Sequence, residues 1–297
     1  MGERHYPHAR VRGLAPYSPQ KKTQNLISNV ERVLAEYADH LPLTIRQIFY
    51  RLVGKYGYPK SEQAYNRLCE CLNRARRGGL IAFDDIRDDG VRVEEPSGFS
   101  GTRGFWGTVR YWAEEYRLHR MANQSVELEI WVEAGGMVPQ IAKVAHEYGI
   151  PVYSSGGFNS ITAKYDTAAR VTDETVILHI GDHDPSGLSV FDSLAEDVTQ
   201  MVFDLEREGE VSFERVAVTP AQIDRHGLPT APPKRNDKRG QWEGGTVQAE
   251  ALPPDVLASE VRTAILRHLD EDAYHDTLER ERRERRELIA RIEGLSL

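Results

Sequence analysis

Apolar residues recur every three to four positions through the first part of the chain, which is the spacing of an amphipathic helix. The pattern predicts a helix over residues 24–38 and a break at residues 41–43. Thr44 and Gln47 then have the T-x-x-Q spacing of a capping box, so a second helix is predicted to begin there. The apolar stripe of this second helix consists of Ile45, Ile48, Phe49, Leu52 and Val53.

A third helix is predicted over about residues 61–77, and Gly78 and Gly79 would end it. Its predicted inner face consists of Leu68, Cys69, Leu72 and Ala75. Residues 80–83 and 91–93 are predicted to form a short hairpin. Three helices followed by a hairpin are typical of a winged-helix module, which presents its third helix to DNA.

Asparagine and arginine side chains are interleaved along the outer faces of this third helix. The candidate DNA contacts are Arg67, Asn73, Arg74 and Arg77. Cations along one helix can neutralise backbone phosphates, whereas the alternative is an arginine-rich face that contacts only solvent. We favour contact with nucleic acid.

From residue 126 onward the pattern changes to apolar strands that alternate with helices. Strands are predicted at residues 126–132, 150–153, 175–180 and 211–218. Helices are predicted at residues 136–148, 160–169 and 188–205. This βαβ order predicts a mostly parallel sheet with right-handed crossovers, and functional groups are expected at the carboxyl ends of its strands.

The predicted fold class is α/β plus α+β, in four segments. A winged-helix domain over residues 1–93 is followed by a linker and bridging helix over residues 94–125. A mostly parallel βαβ domain occupies residues 126–218, and residues 219–297 form a C-terminal extension that ends in a charged helix. Residues 219–255 are rich in proline, glycine and charge, which predicts a long loop.

Charge is distributed unevenly along the chain. Residues 1–83 contain 14 Lys+Arg and 6 Asp+Glu, whereas the remainder contains 24 and 40. A basic first quarter beside an acidic remainder fits a phosphate-binding module joined to a carboxylate-rich domain. Cys69 and Cys71 are too few for a disulfide framework or a four-cysteine zinc site. No segment is apolar enough for a membrane span or a signal peptide, so a cytoplasmic location is expected.

Two of the predicted strands end in carboxylates. ELEIWV is followed by Glu133, and TVILHIG is followed by Asp182, His183 and Asp184. In extended backbone, Asp182 and Asp184 point to the same side and His183 points to the other. Neighbouring carboxylates raise one another's pKa, and a hard divalent cation relieves that repulsion. We predict a Mg²⁺ site, which Mn²⁺ could also occupy, at Glu133, Asp182 and Asp184; the alternative is an ordinary solvated turn.

Tyr50 lies on the second helix, away from its apolar stripe, and Arg46 lies one turn earlier on the same side. A phenol beside a guanidinium can reach a scissile phosphate while the cation neutralises it. The alternative is an interface tyrosine packed against the other domain. Periodicity alone favours that alternative.

These motifs, taken in order, resemble those of the topoisomerase VI A subunit and the related transesterases that make meiotic double-strand breaks. TIRQIFY at residues 44–50 resembles the family's tyrosine helix, and WVEAGG at residues 131–136 resembles its Toprim glutamate motif. SGGF at residues 155–158 resembles the turn after its second Toprim strand. IGDHDPSGL at residues 180–188 resembles its D-x-D-P-x-G motif, and VQAEAL at residues 247–252 resembles an acidic stretch near its C-terminus.

The resemblance implies a Toprim-type sheet domain and a Tyr50 that attacks a DNA phosphate and becomes linked to a 5′ end. It implies that Glu133, Asp182 and Asp184 hold Mg²⁺ beside that phosphate, which Arg46 stabilises. It also implies a homodimer in which the tyrosine of one protomer works beside the metal of the other. No Walker-type phosphate loop is present, so ATP-driven strand passage would require a separate ATPase subunit.

Two other functions are compatible with the sequence. The first is a hydrolytic Toprim nuclease, similar to the nuclease subunit of plasmid-restricting condensin-like systems, in which metal-activated water replaces Tyr50. The second is a non-catalytic DNA-binding protein. The three carboxylates argue against a pure binding module, because clustered like charges are unfavourable there. The favoured function is Mg²⁺-dependent cleavage of double-stranded DNA by Tyr50.

Overall fold

The computed structural model describes residues 14–87, 98–154, 161–233, 242 and 244–294. Its α-helices are α1 (Lys21–Glu36), α2 (Ile45–Tyr56), α3 (Glu62–Arg77), α4 (Thr102–Glu114), α5 (Val138–Ala145), α6 (Ile161–Arg170), α7 (Pro185–Asp204), α8 (Pro220–His226), α9 (Pro254–Leu266) and α10 (Glu271–Glu293). Its strands are β1 (Leu43–Thr44), β2 (Ile86–Arg87), β3 (Glu127–Val132), β4 (Val152–Ser154), β5 (Thr175–Ile180) and β6 (Val211–Ala217). The fold is mixed α/β with parallel strand pairing.

The capping box at the start of α2 is confirmed. The Thr44 hydroxyl accepts a hydrogen bond from the Gln47 N–H at 3.1 Å, and Gln47 Oε1 accepts one from the Thr44 N–H at 2.9 Å. The helix ends at Gly57, whose φ of 62° is accessible to glycine without a steric cost. These local signals fix both ends of the helix that carries Tyr50.

The inner face of α3 differs from the prediction at its cysteines. Cys71 is buried, whereas Cys69, predicted to face inward, is only partly buried. Residue 71 follows the buried Leu68 by three positions and therefore lies on the same helix face. Both thiols are free.

The predicted strand at residues 80–83 is wrong. A 3₁₀ turn at Phe83–Asp85 leads into β2, and β2 pairs in parallel with β1 through Leu43 and Ile86. Two consecutive aspartates favour a turn over a strand, and burial of Ile86 fixes the pairing that follows. Residues 91–93, the predicted second arm of the hairpin, lie outside the described residues.

The main sheet is parallel, with the strand order β4-β3-β5-β6. Strand β5 has the predicted bounds, and all six of its residues are buried. Helix α7 begins at Pro185, three residues before the predicted start. The Asp184 side chain caps α7 by accepting the Gly187 N–H at 2.7 Å, and proline is favourable in the first turn.

Helices cover both faces of the main sheet. One face packs against α6 and α7 through Trp131, Ala168, Ile177, Leu194 and Val198. On the other face, a single apolar cluster joins the sheet to α1–α3, α5 and α9, with members that include Ile48, Leu52, Ile130, Ile180 and Leu257. The N-terminal helices and the sheet therefore share one core, which holds α2 against the sheet.

The predicted long loop at residues 219–255 contains a helix, so that prediction is wrong in part. Thr219 and Gln222 form a second capping box, Pro220 occupies the first turn of α8, and Gly227 ends it. The charged C-terminal helix is confirmed as α10. Helix α4 lies within residues 94–125, where a linker and bridging helix were predicted. No helix in the described ranges is both long enough and apolar enough to cross a bilayer.

Candidate active site

The ends of β3 and β5 bring three carboxylates to one pocket. The Glu133 N–H donates to the carbonyl of Ile180 at 2.8 Å, so the two strands end side by side. Glu133, Asp182 and Asp184 all line a pocket of about 440 Å³ at this edge of the sheet. The parallel topology thus places these residues together as expected, and their role as metal ligands remains a prediction.

Each of these carboxylates is oriented by a backbone N–H. Glu133 Oε2 accepts from the Asp182 N–H at 2.9 Å, and Asp182 Oδ1 accepts from the Ala249 N–H at 2.8 Å. The Asp184 side chain accepts from Gly187 at the start of α7. One oxygen of each carboxylate is held by the fold in this way. The hydrogen bonds of the described residues leave the second oxygen of each group available to a ligand.

Burial makes two of these carboxylates costly to ionise. Burial raises the pKa of Asp182 to about 6; the Ala249 N–H opposes this shift, whereas Glu133 and Asp184 add to it. Burial also raises the pKa of Glu133, and the hydrogen bond from Asp182 only partly offsets it. A cation in the pocket would relieve both effects.

The donor set is suited to a hydrated divalent ion rather than to a closed protein cage. Within the described ranges, no three or more His, Cys, Asp or Glu side chains are grouped so that they could hold a metal ion. Mg²⁺, however, usually keeps several waters and binds through one or two carboxylates together with substrate phosphates. Hard oxygen donors on the wall of an open pocket fit that mode of binding.

Gly187 is required by close packing around the carboxylates. A Cβ at this position would lie 2.3 Å from the Asp182 carbonyl oxygen and 3.1 Å from Glu133 Oε2. Real Cβ atoms essentially never lie as close to another heavy atom as the first of these distances. The contacted atom belongs to the backbone, so it cannot move aside as the end of a flexible side chain could. The glycine of the D-x-D-P-x-G motif therefore allows α7 to approach the end of β5.

Arg215, on β6, supports the pocket from behind, and sequence analysis missed it. Its guanidinium donates to the carbonyl of Gly181 at 2.9 Å and to the carbonyl of Asp182. Burial lowers its pKa, while the charges of Glu133 and Asp182 oppose that shift. An arginine within a predicted strand carries no signal of this role, because its partner atoms are backbone carbonyls of residues that follow a different strand, β5.

Tyr50 is buried, which corrects the expectation that it lies away from the apolar residues of α2. Only 6% of its surface is exposed, and its ring packs edge-on against Phe49. Tyr50 nevertheless lines the same pocket as the three carboxylates. Burial raises the pKa of Tyr50 to about 12, and the nearby Arg46 opposes the shift. Tyr50 is therefore packed among apolar residues and is also part of the pocket wall.

Gln248 connects the two residues predicted on α2. Its Oε1 accepts from the Tyr50 hydroxyl at 2.5 Å and from Arg46 Nη1 at 2.8 Å. Arg46 is thus on the same side as Tyr50, as predicted, and its guanidinium also lies 3.9 Å from the buried Glu250. The VQAEAL resemblance singled out this segment in the sequence. Nothing in the sequence predicts that Gln248 contacts α2. Lys60 also lines the pocket, with its Nζ 5.6 Å from the centre of the Tyr50 ring.

The predicted DNA contacts on α3 lie outside the pocket. Arg74 pairs with Glu70 at 2.6 Å, and Arg77 Nε donates to Asn73 at 2.8 Å. Arg67 is exposed on the same helix. The structure therefore presents these side chains on a solvent-facing surface, and contact with DNA remains a prediction.

Two further predicted features have different outcomes. His183 points away from the pocket, as predicted, and its ring contacts Trp242 with the ring centres 5.0 Å apart. Burial lowers the pKa of His183. The SGGF turn at residues 155–158 lies outside the described residues.

Comparison of the chain with models of known protein families finds no match, and a search of curated proteins finds no significant similarity. Function is therefore inferred from the residues of the pocket and from the motifs that carry them.

Proposed function

We propose that the protein cleaves double-stranded DNA by transesterification at Tyr50, with the help of a divalent cation. The observation that carries this proposal is the shared pocket: Tyr50, Glu133, Asp182 and Asp184 all line it. A nucleophile and a set of hard oxygen ligands in one cavity is the arrangement that phosphoryl transfer requires. The motif resemblance to topoisomerase VI A subunits adds support.

In the proposed reaction, Tyr50 Oη forms a bond to phosphorus while the bond between phosphorus and the 3′-oxygen breaks. The products are a 5′-phosphotyrosine and a free 3′-hydroxyl. The phenol proton passes to water, and the departing oxygen takes a proton from water. A pKa of about 12, which already includes the lowering effect of Arg46, keeps the phenol protonated at neutral pH before DNA binds, so the proton leaves as the bond to phosphorus forms.

In this proposal the carboxylates of Glu133, Asp182 and Asp184 would hold a hydrated Mg²⁺ or Mn²⁺ together with the DNA phosphate, because the described residues present no closed group of three metal ligands. When bound, the ion acts as a Lewis acid on the phosphate and neutralises developing charge. The protein's own contribution is to fix one oxygen of each carboxylate with a backbone N–H, which leaves the other oxygen of each group available to the ion.

We also propose an identity for two parts of the fold. The sheet would be a Toprim domain, supported by acidic residues at the ends of adjacent parallel strands. The helices α1–α3 would form a winged-helix module in which α3 contacts DNA, supported by the exposed Arg67 and Arg74. ATP-driven strand passage would still need a separate ATPase subunit.

A second candidate is hydrolysis by metal-activated water. The burial of Tyr50, and the donation of its hydroxyl to Gln248, favour this candidate because both keep the phenol in its protonated form. In that case Tyr50 would position the phosphate rather than attack it.

Incubation with supercoiled plasmid and Mg²⁺ or Mn²⁺, followed by denaturation with and without protease, separates these functions. Transesterification predicts DNA that is retained with protein until protease is added, and no such adduct with Tyr50→Phe. Hydrolysis predicts cleavage that persists in Tyr50→Phe and disappears in Asp182→Asn. Cleavage by neither route, under any metal condition, would leave only a DNA-binding function and reject the proposal.

A further inference from the structure

A second pocket, lined largely by cations, lies between the loop that follows α4, the last turn of α5 and the helix α10. Its volume is about 570 Å³, and it shares no lining residue with the carboxylate pocket. Small-molecule sites commonly have volumes of roughly 300–1,000 Å³, so a compact ligand fits. The cationic residues that line this pocket are Arg117, Arg120, Lys143, Arg282 and Arg285.

The positive charge of this cationic pocket is not balanced by its own wall. Five Lys and Arg side chains line it against two carboxylates, Glu147 and Glu281, so its net charge is +3 with His146 neutral. Glu147 is also paired, at 3.1 Å, with Arg262, which lies outside the lining. The formal net charge of the whole chain is −8, so this excess is a local feature. A cleft with such an excess of one charge attracts ions of the opposite sign.

The floor of the cationic pocket is held in place by ion pairs. Arg120, whose side chain is 10% exposed, donates to Glu281 at 2.8 Å, and Arg285 donates to the same carboxylate at 2.6 Å. Arg285 also donates to the carbonyl of Tyr116, through Nε at 3.1 Å and Nη2 at 2.7 Å. One carboxylate thus holds two guanidinium groups, and one positive charge remains. Groups fixed in this way lose little conformational entropy when a ligand binds.

The rim of the cationic pocket carries charges that the protein neutralises only weakly. Within the described ranges, the Arg282 guanidinium makes no hydrogen bond or ion pair. Lys143 donates to the carbonyl of Leu41, which is an uncharged group. Arg117 lies 3.6 Å from Glu115, but both side chains are about half exposed, so solvent weakens that pair. Three cations on three separate elements are therefore available to a bound anion.

We propose that this cationic pocket binds a phosphate anion with at least two negative charges, either a free diphosphate or adjacent phosphates of a nucleic-acid backbone. A guanidinium presents paired N–H donors that match phosphate oxygens, and a lysine ammonium adds a compact charge. Arg282 and Lys143 lie on different helices, α10 and α5, which suits a ligand with oxygens on two sides. This site goes beyond the proposed function, because it contains neither Tyr50 nor the carboxylates of the first pocket.

Titration calorimetry with pyrophosphate in metal-free buffer tests the site without any cleavage step. Wild-type protein should bind pyrophosphate saturably, and Arg282→Gln should lower the affinity about tenfold, because a charge-assisted hydrogen bond is lost. Lys143→Gln should cause a similar loss from a different helix. Arg283→Gln, next along α10 and exposed but outside the pocket lining, is the matched control and should bind as wild type does. Failure of the proposed DNA cleavage would leave this measurement unaffected.

Salt-titrated binding to a short DNA duplex distinguishes the two sources of phosphate. If backbone phosphates occupy the site, Arg282→Gln should lower the slope of log affinity against log salt by about one unit, and Arg283→Gln should not. If a free diphosphate is the ligand, the pyrophosphate affinity falls in Arg282→Gln while its duplex slope equals that of wild type. Either result supports a phosphate site and identifies its occupant.

A cluster that only stabilises the fold predicts a different result. Arg282 and Lys143 are exposed, so their substitution should leave Tm close to the wild-type value while binding is lost. If Arg282→Gln and Lys143→Gln instead match Arg283→Gln in both binding assays, the proposal is overturned. Absence of any pyrophosphate or duplex binding by wild-type protein would overturn it as well.

Discussion

A buried carboxylate on α10 and the buried carboxylates of the pocket have opposite electrostatic surroundings. Glu281, on α10, is 2% exposed and accepts hydrogen bonds from Arg120, Arg285 and the Leu118 N–H. Burial alone would raise the pKa of Glu281, but these hydrogen bonds lower it below its ordinary value. In the pocket, burial raises the pKa of Glu133 and Asp182, and their hydrogen bonds come from neutral N–H groups.

The comparison separates a structural role from a functional one. A buried carboxylate that serves packing is neutralised by fixed cations, as Glu281 is. Carboxylates left under-compensated at the edge of a cavity are instead candidates for binding a cation that the protein does not itself supply. Arg215 contacts carbonyl oxygens behind the pocket rather than the carboxylates, so it does not form the equivalent ion pair.

The largest effect is expected at the neutralised group. Glu281→Gln leaves Arg120, whose side chain is 10% exposed, without its carboxylate partner. The free energy of unfolding should fall by about 3–5 kcal/mol in denaturant titration. Glu279→Gln, on an exposed face of the same helix, is the control. A loss no greater than that of the control would mean that Glu281 is not the structural anchor described above.

In the pocket, removal of a carboxylate charge is expected to raise the free energy of unfolding rather than lower it. Asp182→Asn keeps the oxygen that accepts the Ala249 N–H and removes a charge that burial disfavours. Because the folded pKa is raised to about 6, stability is full below the unfolded pKa and is lost as pH rises through the folded one. The variant should therefore exceed wild type by about 3 kcal/mol at a pH of ~7.5 and by about 1 kcal/mol at a pH of ~4.5, without metal.

Denaturant titration at both pH values measures that difference. Glu196→Gln, on the exposed surface of α7, is the matched control and should change stability little. A destabilised Asp182→Asn protein at neutral pH would show that the carboxylate is compensated in a way that its hydrogen bonds do not reveal.

A loss of stability smaller than that of Glu281→Gln is expected when a methyl group is added at the tightly packed Gly187. Gly187→Ala places a Cβ against the Asp182 carbonyl and close to Glu133 Oε2. Overpacking of this kind should cost about 1–3 kcal/mol in thermal or denaturant unfolding. Gly107→Ala, also within a helix but with nothing near the added Cβ, should be neutral or slightly stabilising. Equal behaviour of the two variants would argue against tight packing at the strand end.

Parts of this site could be predicted from sequence because local signals define them. The apolar run of β5 and the acidic residues after β3 and β5 fixed the positions of Glu133, Asp182 and Asp184. The loop prediction for residues 219–255 rested on composition alone and did not use the capping-box spacing of Thr219 and Gln222, which begins α8. Gln248 could not be assigned, because its partners lie about 200 residues away and no periodicity records such a contact.

The smallest effect on stability is expected at an exposed ion pair, which serves as a reference for the buried carboxylates. Arg74 and Glu70 are both solvent-accessible, so Arg74→Gln should change unfolding free energy by less than about 0.5 kcal/mol. If α3 contacts DNA, the same change should lower the salt dependence of binding by about one unit of slope. Salt-titrated binding to duplex DNA measures that slope. An unchanged slope would place Arg74 outside the DNA interface.

The central claim is that the pocket carboxylates bind a divalent cation. Its most direct test is to measure Mn²⁺ binding to metal-free protein by calorimetry or by electron paramagnetic resonance. The under-compensated carboxylates predict saturable binding in wild-type protein and in Glu196→Gln, and its loss in Asp182→Asn. Absence of Mn²⁺ binding to wild type, or equal binding to Asp182→Asn, would contradict the assignment of this pocket as a cation site.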